Sequence, residues 1–222
     1  MREPNETGAP ASATSGAGAA TAPDWLRLPR ASLGQRIALF GGSFNPPHKG
    51  HRHVALTGLA RLAVNEVWWL VTPGNPLKAM DDLAPLEERV AATKRLADHP
   101  RMVVTAFEAT IGTRYTADTI RYLKRRYPTV RFVWLMGADN LGSLHRWQKW
   151  QDIMRQVPVA VVDRPGASMT VLSSPAARTY AGARVPESQA AALPHMPPPA
   201  WTFLHVPLDP SSSTALRNRG RR

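Results

Sequence analysis

The chain reads as an α/β protein, one doubly wound domain built on a mostly parallel sheet with helices on both faces. Three observations predict this. Six short apolar runs recur along the sequence, and amphipathic helical patterns separate most of them. Apolar strands that alternate with such helices need cover on both sides, which a parallel sheet between two helical layers supplies. With 222 residues and 43% hydrophobic content, the chain can bury one substantial core, and one domain is the simplest count.

The elements follow in order. Residues 1–33 are rich in Ala, Gly, Ser, Thr and Pro with little apolar periodicity, so they are expected to form a disordered extension, and residues 34–222 the domain. Strands are expected at 37–40, 66–72, 102–107, 130–136, 157–162 and 202–206. Helices are expected at 50–63, 85–97, 116–126 and 141–155. Between about 182 and 200, Pro186, Pro194 and the run Pro197-Pro198-Pro199 break any helix or central strand and predict a surface loop. The alternation is Rossmann-like, and in such sheets the ligand crevice lies beyond the C-terminal strand ends, where the strand order reverses.

Composition narrows the chemistry. Without cysteine the chain has neither a disulfide framework nor a thiolate nucleophile, which agrees with a reducing compartment. No apolar stretch has the length of a membrane span, and no charged start followed by an apolar core marks a signal peptide, so a cytoplasmic protein is expected. The net charge of +12 admits a nucleic-acid-binding module as a second class, with Arg121, Lys124, Arg125, Arg126 and the basic tail at 219–222 as its contacts. The favoured reading of these charges is a set of solvated faces that also attract anionic nucleotides, with nucleic acid an unlikely partner.

The first strand runs directly into Gly41-Gly42-Ser43-Phe44-Asn45-Pro46-Pro47-His48-Lys49-Gly50-His51. Two glycines allow a tight turn and close backbone approach to a ligand, while Pro46 and Pro47 stiffen the loop. A helix starting near His48 places His48 and His51 on one face of its first turn, where the dipole favours an anion. His53 points elsewhere and is read as a surface or packing residue. A zinc site is not expected, because cysteine is absent and the histidine spacing differs from the i, i+4 pair of zincins.

Near the other end, Asp209-Pro210 precedes Ser212, Ser213, Thr214 and Arg217. This is a helix start whose hydroxyls suit phosphate oxygens, with Arg217 one turn on. Two more strand ends carry candidates. A loop after residue 71 closes on Lys78, and Gly137 with Asp139 follows the fourth strand. Asp139 suits ribose hydroxyls and equally suits a helix N-cap.

His48-Lys49-Gly50-His51 resembles the HxGH signature of the nucleotidyltransferase superfamily, and residues 212–217 resemble its SSTxIR motif, with Leu216 where isoleucine is common. Together with the Lys78 loop, the segment Arg114-Tyr115-Thr116-Ala117-Asp118-Thr119, the Gly137-Ala138-Asp139 strand end and Trp147, the succession is similar to the bacterial nicotinate-nucleotide adenylyltransferases over about residues 35–218. The resemblance implies transfer of the adenylyl group of ATP to nicotinate mononucleotide, with Mg²⁺ accompanying ATP and with nicotinamide mononucleotide or phosphopantetheine as alternative acceptors. It implies catalytic roles for His48, His51 and Arg217. Gly41, Gly42, Ser43, Phe44, Gly137, Asp139, Ser212, Ser213 and Thr214 complete the ATP side. Asn45, Lys78, Thr116, Trp147 and Gln148 form the acceptor side, with Trp147 beneath the pyridine ring. Trp150, three residues on, is read as a core residue. The chain ends five residues after Arg217, where many family members continue into a further helix.

Overall fold

The structure is a computed structural model that describes residues 22–74, 83–163 and 171–206. Six parallel strands form one sheet: β1 (Arg36–Gly42), β2 (Glu66–Val71), β3 (Met102–Thr105), β4 (Arg131–Gly137), β5 (Val159–Val162) and β6 (Trp201–Leu204). Their order is β3-β2-β1-β4-β5-β6, and every pairing is parallel. The order reverses between β1 and β4, so their C-terminal ends flank the crevice of a doubly wound sheet.

Alternation along the strands sorts the core into two layers. Ile37 and Leu39 of β1, with Phe132 and Trp134 of β4, face one layer, while Ala38, Phe40, Val133 and Leu135 face the other. The first layer is closed by α3 (Thr116–Arg126), α4 (Ala138–Ser143), α5 (Trp150–Gln156) and α6 (Pro175–Thr179). The second is closed by α1 (Lys49–Arg61), α2 (Leu86–Leu96) and a 3₁₀ segment, Glu187–His195. Gly58 lets α1 lie close on β4, since a Cβ there would stand 2.7 Å from Cδ2 of Leu135.

Three expectations are corrected. Residues 22–33, read as part of a disordered extension, pack on the fold. A 3₁₀ turn at Asp24–Leu26 presents the Trp25 carbonyl to the Ala106 amide at 2.7 Å and to the Thr105 hydroxyl at 3.1 Å, and Tyr127 donates to the Pro29 carbonyl at 2.6 Å. The proline-rich stretch before β6 is a cover rather than a surface loop. Its 3₁₀ geometry buries Ala190, Leu193 and Pro194, while Thr202 of β6 donates to the Val185 carbonyl at 3.0 Å. The helix expected over 141–155 is broken. A 3₁₀ turn at Leu144–Arg146 passes into extended Trp147, and Lys149 is left-handed at φ 54° before α5 begins.

Candidate functional site

Site geometry starts where β1 leaves the sheet. Gly41 and Gly42 are its last two residues, and packing excludes a side chain at the first and crowds one at the second. A Cβ on Gly41 would stand 2.5 Å from Cη2 of Trp134, and one on Gly42 would stand 3.1 Å from the Phe44 ring. To the close approach to a ligand read from sequence, this adds the indole and phenyl rings as what the glycines clear.

Phe44 turns the chain with a left-handed backbone, φ 45°, which costs an L-residue about 1–2 kcal/mol. Burial of its ring offsets that cost: Phe44 is only 2% exposed, 5.4 Å from Phe40, 5.1 Å from Trp69 and edge-on to His51 at 5.1 Å. With its ring in the core, Phe44 can serve a nucleotide only through its backbone. Its ring seats His51 instead.

His48 caps α1 with extended geometry, and its amide donates to Nδ1 of His51 at 3.2 Å. A glutamate or glutamine commonly makes this contact at the third helical position; here an imidazole makes it. Because Nδ1 accepts, the proton of neutral His51 sits on Nε2, as a donor. The two rings are 3.7 Å apart at 34°, His48 is 4% exposed, and both stand at the positive end of the 13-residue α1.

Arg89 of α2, a residue the sequence reading did not single out, holds this loop from beneath. Its Nε donates to the Ala84 carbonyl at 2.8 Å, Nη1 to those of Ser43 and Thr72 at 2.8 Å each, and Nη2 to that of Pro73 at 3.3 Å. Burial lowers the guanidinium's pKa from its ordinary value. Asn45, expected on the acceptor side, accepts from the Ala84 amide at 3.3 Å and so ties the same loop to the entry of α2.

Across the crevice, Gly137 is the extended N-cap of α4, and Asp139 lies exposed in that helix's first turn, which sets aside its N-cap reading. Trp147 packs edge-on to Trp134 at 6.4 Å, beside the exposed Gln148. Trp150 is a packing residue, edge-on to Tyr180 at 5.9 Å. Thr116 opens α3, and Thr119 of the same helix donates to the buried Glu108 at 2.7 Å. Arg121 pairs with Asp118 and reaches Asp152 of α5 at 3.5 Å, and Lys124 donates to the Gln156 carbonyl at 2.6 Å, so these two basic residues tie α3 to α5. The structure thus brings residues 41–51 and 137–139 to the two strand ends of the switch point. Lys78, Ser212, Ser213, Thr214 and Arg217 lie outside the described residues.

A model of cytidylyltransferase-like proteins matches residues 39–219. The chain is 58% identical over 184 residues to a probable nicotinate-nucleotide adenylyltransferase of Methylorubrum extorquens, covering 83% of this chain and 100% of that protein. It is 54% identical over 191 residues to one of Rhizobium johnstonii, covering 86% and 96%. The fold is similar to that of Plasmodium falciparum nicotinic acid mononucleotide adenylyltransferase complexed with NaAD, with TM-score 0.62 at 16% identity over 83% of each chain. The switch-point loop, the paired histidines and these relatives agree: the chain belongs to the nicotinate-nucleotide adenylyltransferase family of cytidylyltransferase-like proteins.

Proposed function

We propose that the chain joins nicotinate mononucleotide to the adenylyl group of ATP, giving nicotinate adenine dinucleotide and pyrophosphate. A phosphate oxygen of the mononucleotide attacks the α-phosphorus of ATP; that P–O bond forms as the α–β phosphoanhydride breaks, and pyrophosphate leaves with the electron pair. The nucleophile is already an anion, so no general base is required. What the protein must supply is alignment and stabilisation of negative charge.

The observation that carries this reading is the His48–His51 pair, its rings 3.7 Å apart at the N-terminus of α1 beside the switch between β1 and β4. His51 offers Nε2–H, His48 adds a second imidazole, and the α1 dipole favours phosphate. Ser212, Ser213, Thr214 and Arg217 are assigned to the same anion from sequence. Mg²⁺ belongs to the ATP substrate, held chiefly by phosphate oxygens and water. Trp147 is assigned to the pyridine ring, whose π-face an indole can stack on, and Thr116, Asn45, Gln148 and Lys78 are assigned to the same acceptor from sequence.

The test is pyrophosphate release from Mg-ATP with nicotinate mononucleotide, nicotinamide mononucleotide or phosphopantetheine as acceptor. The expected result is turnover highest with nicotinate mononucleotide. Turnover confined to either other acceptor overturns the assignment.

A further inference from the structure

We propose that a cleft at the N-terminal edge of β4 and β5, the edge of the sheet opposite the paired histidines, binds a small organic anion: a phosphomonoester or a carboxylate on an apolar body. The cleft has a volume of about 300 Å³. It lies between the start of β4, the passage from α5 into β5 and the end of the 3₁₀ cover before β6. β4 runs from Arg131 in this cleft to Gly137 at the switch point, so at about 3.3 Å per residue the two places stand about 20 Å apart. Neither substrate of the transfer reaction accounts for it.

Charge decides the kind of ligand. Lys124, Arg131 and His195 converge on the cleft from α3, β4 and the 3₁₀ cover, and among the described residues no acid lines it. The side chains of Arg131 and His195 make no ion pair or hydrogen bond among the described residues. Lys124 gives one of its three protons to the Gln156 carbonyl at 2.6 Å and keeps two. Acids on the neighbouring elements are engaged elsewhere, Asp118 and Asp152 with Arg121, and Glu187 with Arg61 and His205. A helix dipole accounts for Lys124 in the last turn of α3; Arg131 opens a strand and has no such reason.

The walls supply the apolar half. Val130, Val157 and Met196 line the cleft beside Pro158, Pro194 and Pro197. Proline has no amide proton and a fixed φ, so these walls offer shape rather than donors. The cover is firmly seated: Leu193 and Pro194 are buried, and the Val185 amide donates to the Trp201 carbonyl at 2.7 Å. The proline-rich stretch thereby gains a use that adenylyl transfer does not give it.

Size and exposure narrow the ligand further. A volume of about 300 Å³ is at the small end for ligand pockets and suits a molecule no larger than a mononucleotide. The guanidinium fork of Arg131 matches phosphate and carboxylate oxygens alike. Lys124, Arg131 and His195 are exposed on their outer sides, so water screens them and the affinity is millimolar.

The test is a two-dimensional amide NMR titration of the full chain with AMP, benzoate, inorganic phosphate and adenosine. Signals of residues 130–132, 156–157 and 195–196 report the cleft, and those of residues 41–51 report the histidine site separately. AMP or benzoate should shift the cleft signals saturably. Phosphate and adenosine should bind there at least about tenfold more weakly, because each lacks one half of the ligand. Arg131→Ala combined with His195→Ala should weaken the binding by about tenfold or more, the scale of one charge-assisted hydrogen bond, while turnover and the signals of residues 41–51 stay as in wild type. Binding of AMP alone assigns a phosphomonoester, and binding of benzoate alone a carboxylate. Cleft signals that neither moves, phosphate or adenosine binding as tight as theirs, or undiminished affinity in the double variant overturns the proposal.

Discussion

Gly41 of β1 and Trp134 of β4 meet so closely that a Cβ on the glycine would stand 2.5 Å from the indole's Cη2. The contact crosses the switch point and joins the two sides of the site. Trp134 is buried and touches Trp147 edge-on at 6.4 Å. A rigid indole cannot fold away as a flexible chain end can, so Gly41→Ala should move Trp134 and, through it, Trp147. Overpacking of this kind costs about 1–3 kcal/mol. Urea denaturation should show that loss, and the KM for nicotinate mononucleotide should rise more than the KM for ATP.

His48 and His51 are expected to dominate turnover. Replacing either with alanine removes a donor aimed at developing phosphate charge, and kcat should fall by about 10² or more. Both variants should also lose stability. His51→Ala removes the acceptor for the His48 amide and His48→Ala the acceptor for the His51 amide, the two halves of a capping box worth about 1 kcal/mol each, so both melting temperatures should drop by a similar amount. Thermal melts beside kinetics on both proteins check this.

Arg89 separates what a sequence can disclose from what it cannot. The β1–loop–α1 unit was legible because its signals are local: an apolar run, a glycine turn, two prolines and histidines at helical spacing. An arginine within Leu-Glu-Glu-Arg-Val looks like one more solvated charge. Only the fold brings the carbonyls of Ser43, Thr72, Pro73 and Ala84 within its reach. The break at residues 147–149 was hidden for a related reason. Leu141, Leu144, Trp147 and Trp150 keep a spacing of three, which imitates a helical face straight through the left-handed Lys149. Residues 22–33 are held by backbone contacts to β3 and by Tyr127, partners far away in sequence that composition does not reveal.

Arg89→Met should therefore act on both stability and catalysis. It strips donors from four carbonyls in one half-enclosed place, and the cost should be about 3 kcal/mol or more at about 1–3 kcal/mol for each oxygen that water does not reach. Arg89→Lys, with a single point of donation, should recover only part of this. Equilibrium denaturation of the two variants, with KM for both substrates, distinguishes a loop-holding arginine from a surface charge, whose loss would change neither.

Trp147 is expected to set acceptor affinity through its ring. Trp147→Phe keeps a smaller π-face, and Trp147→Ala removes it. Aromatic pairing is worth about 0.5–1.5 kcal/mol beyond area burial. The KM for nicotinate mononucleotide should rise modestly in the first variant and by about tenfold in the second, with kcat nearly unchanged. Steady-state kinetics at saturating ATP measures the effect.

Stability should depend on pH through Glu108, in the direction opposite to an ordinary salt-bridged carboxylate. Its pKa is raised from 4.5 to about 7 in the folded protein, chiefly by burial. Between those values the native state holds a proton that the unfolded chain has released, so the stability it contributes falls as pH rises across this window and levels off above it. The full difference is about 3 kcal/mol at 1.36 kcal/mol per pKa unit. Glu108→Gln cannot ionise. It should match wild type in denaturant midpoint at about pH 4 and below, and exceed it by a growing margin up to about pH 8. A constant gap between the two proteins across that range would show that Glu108 titrates in the folded protein as it does in the unfolded chain.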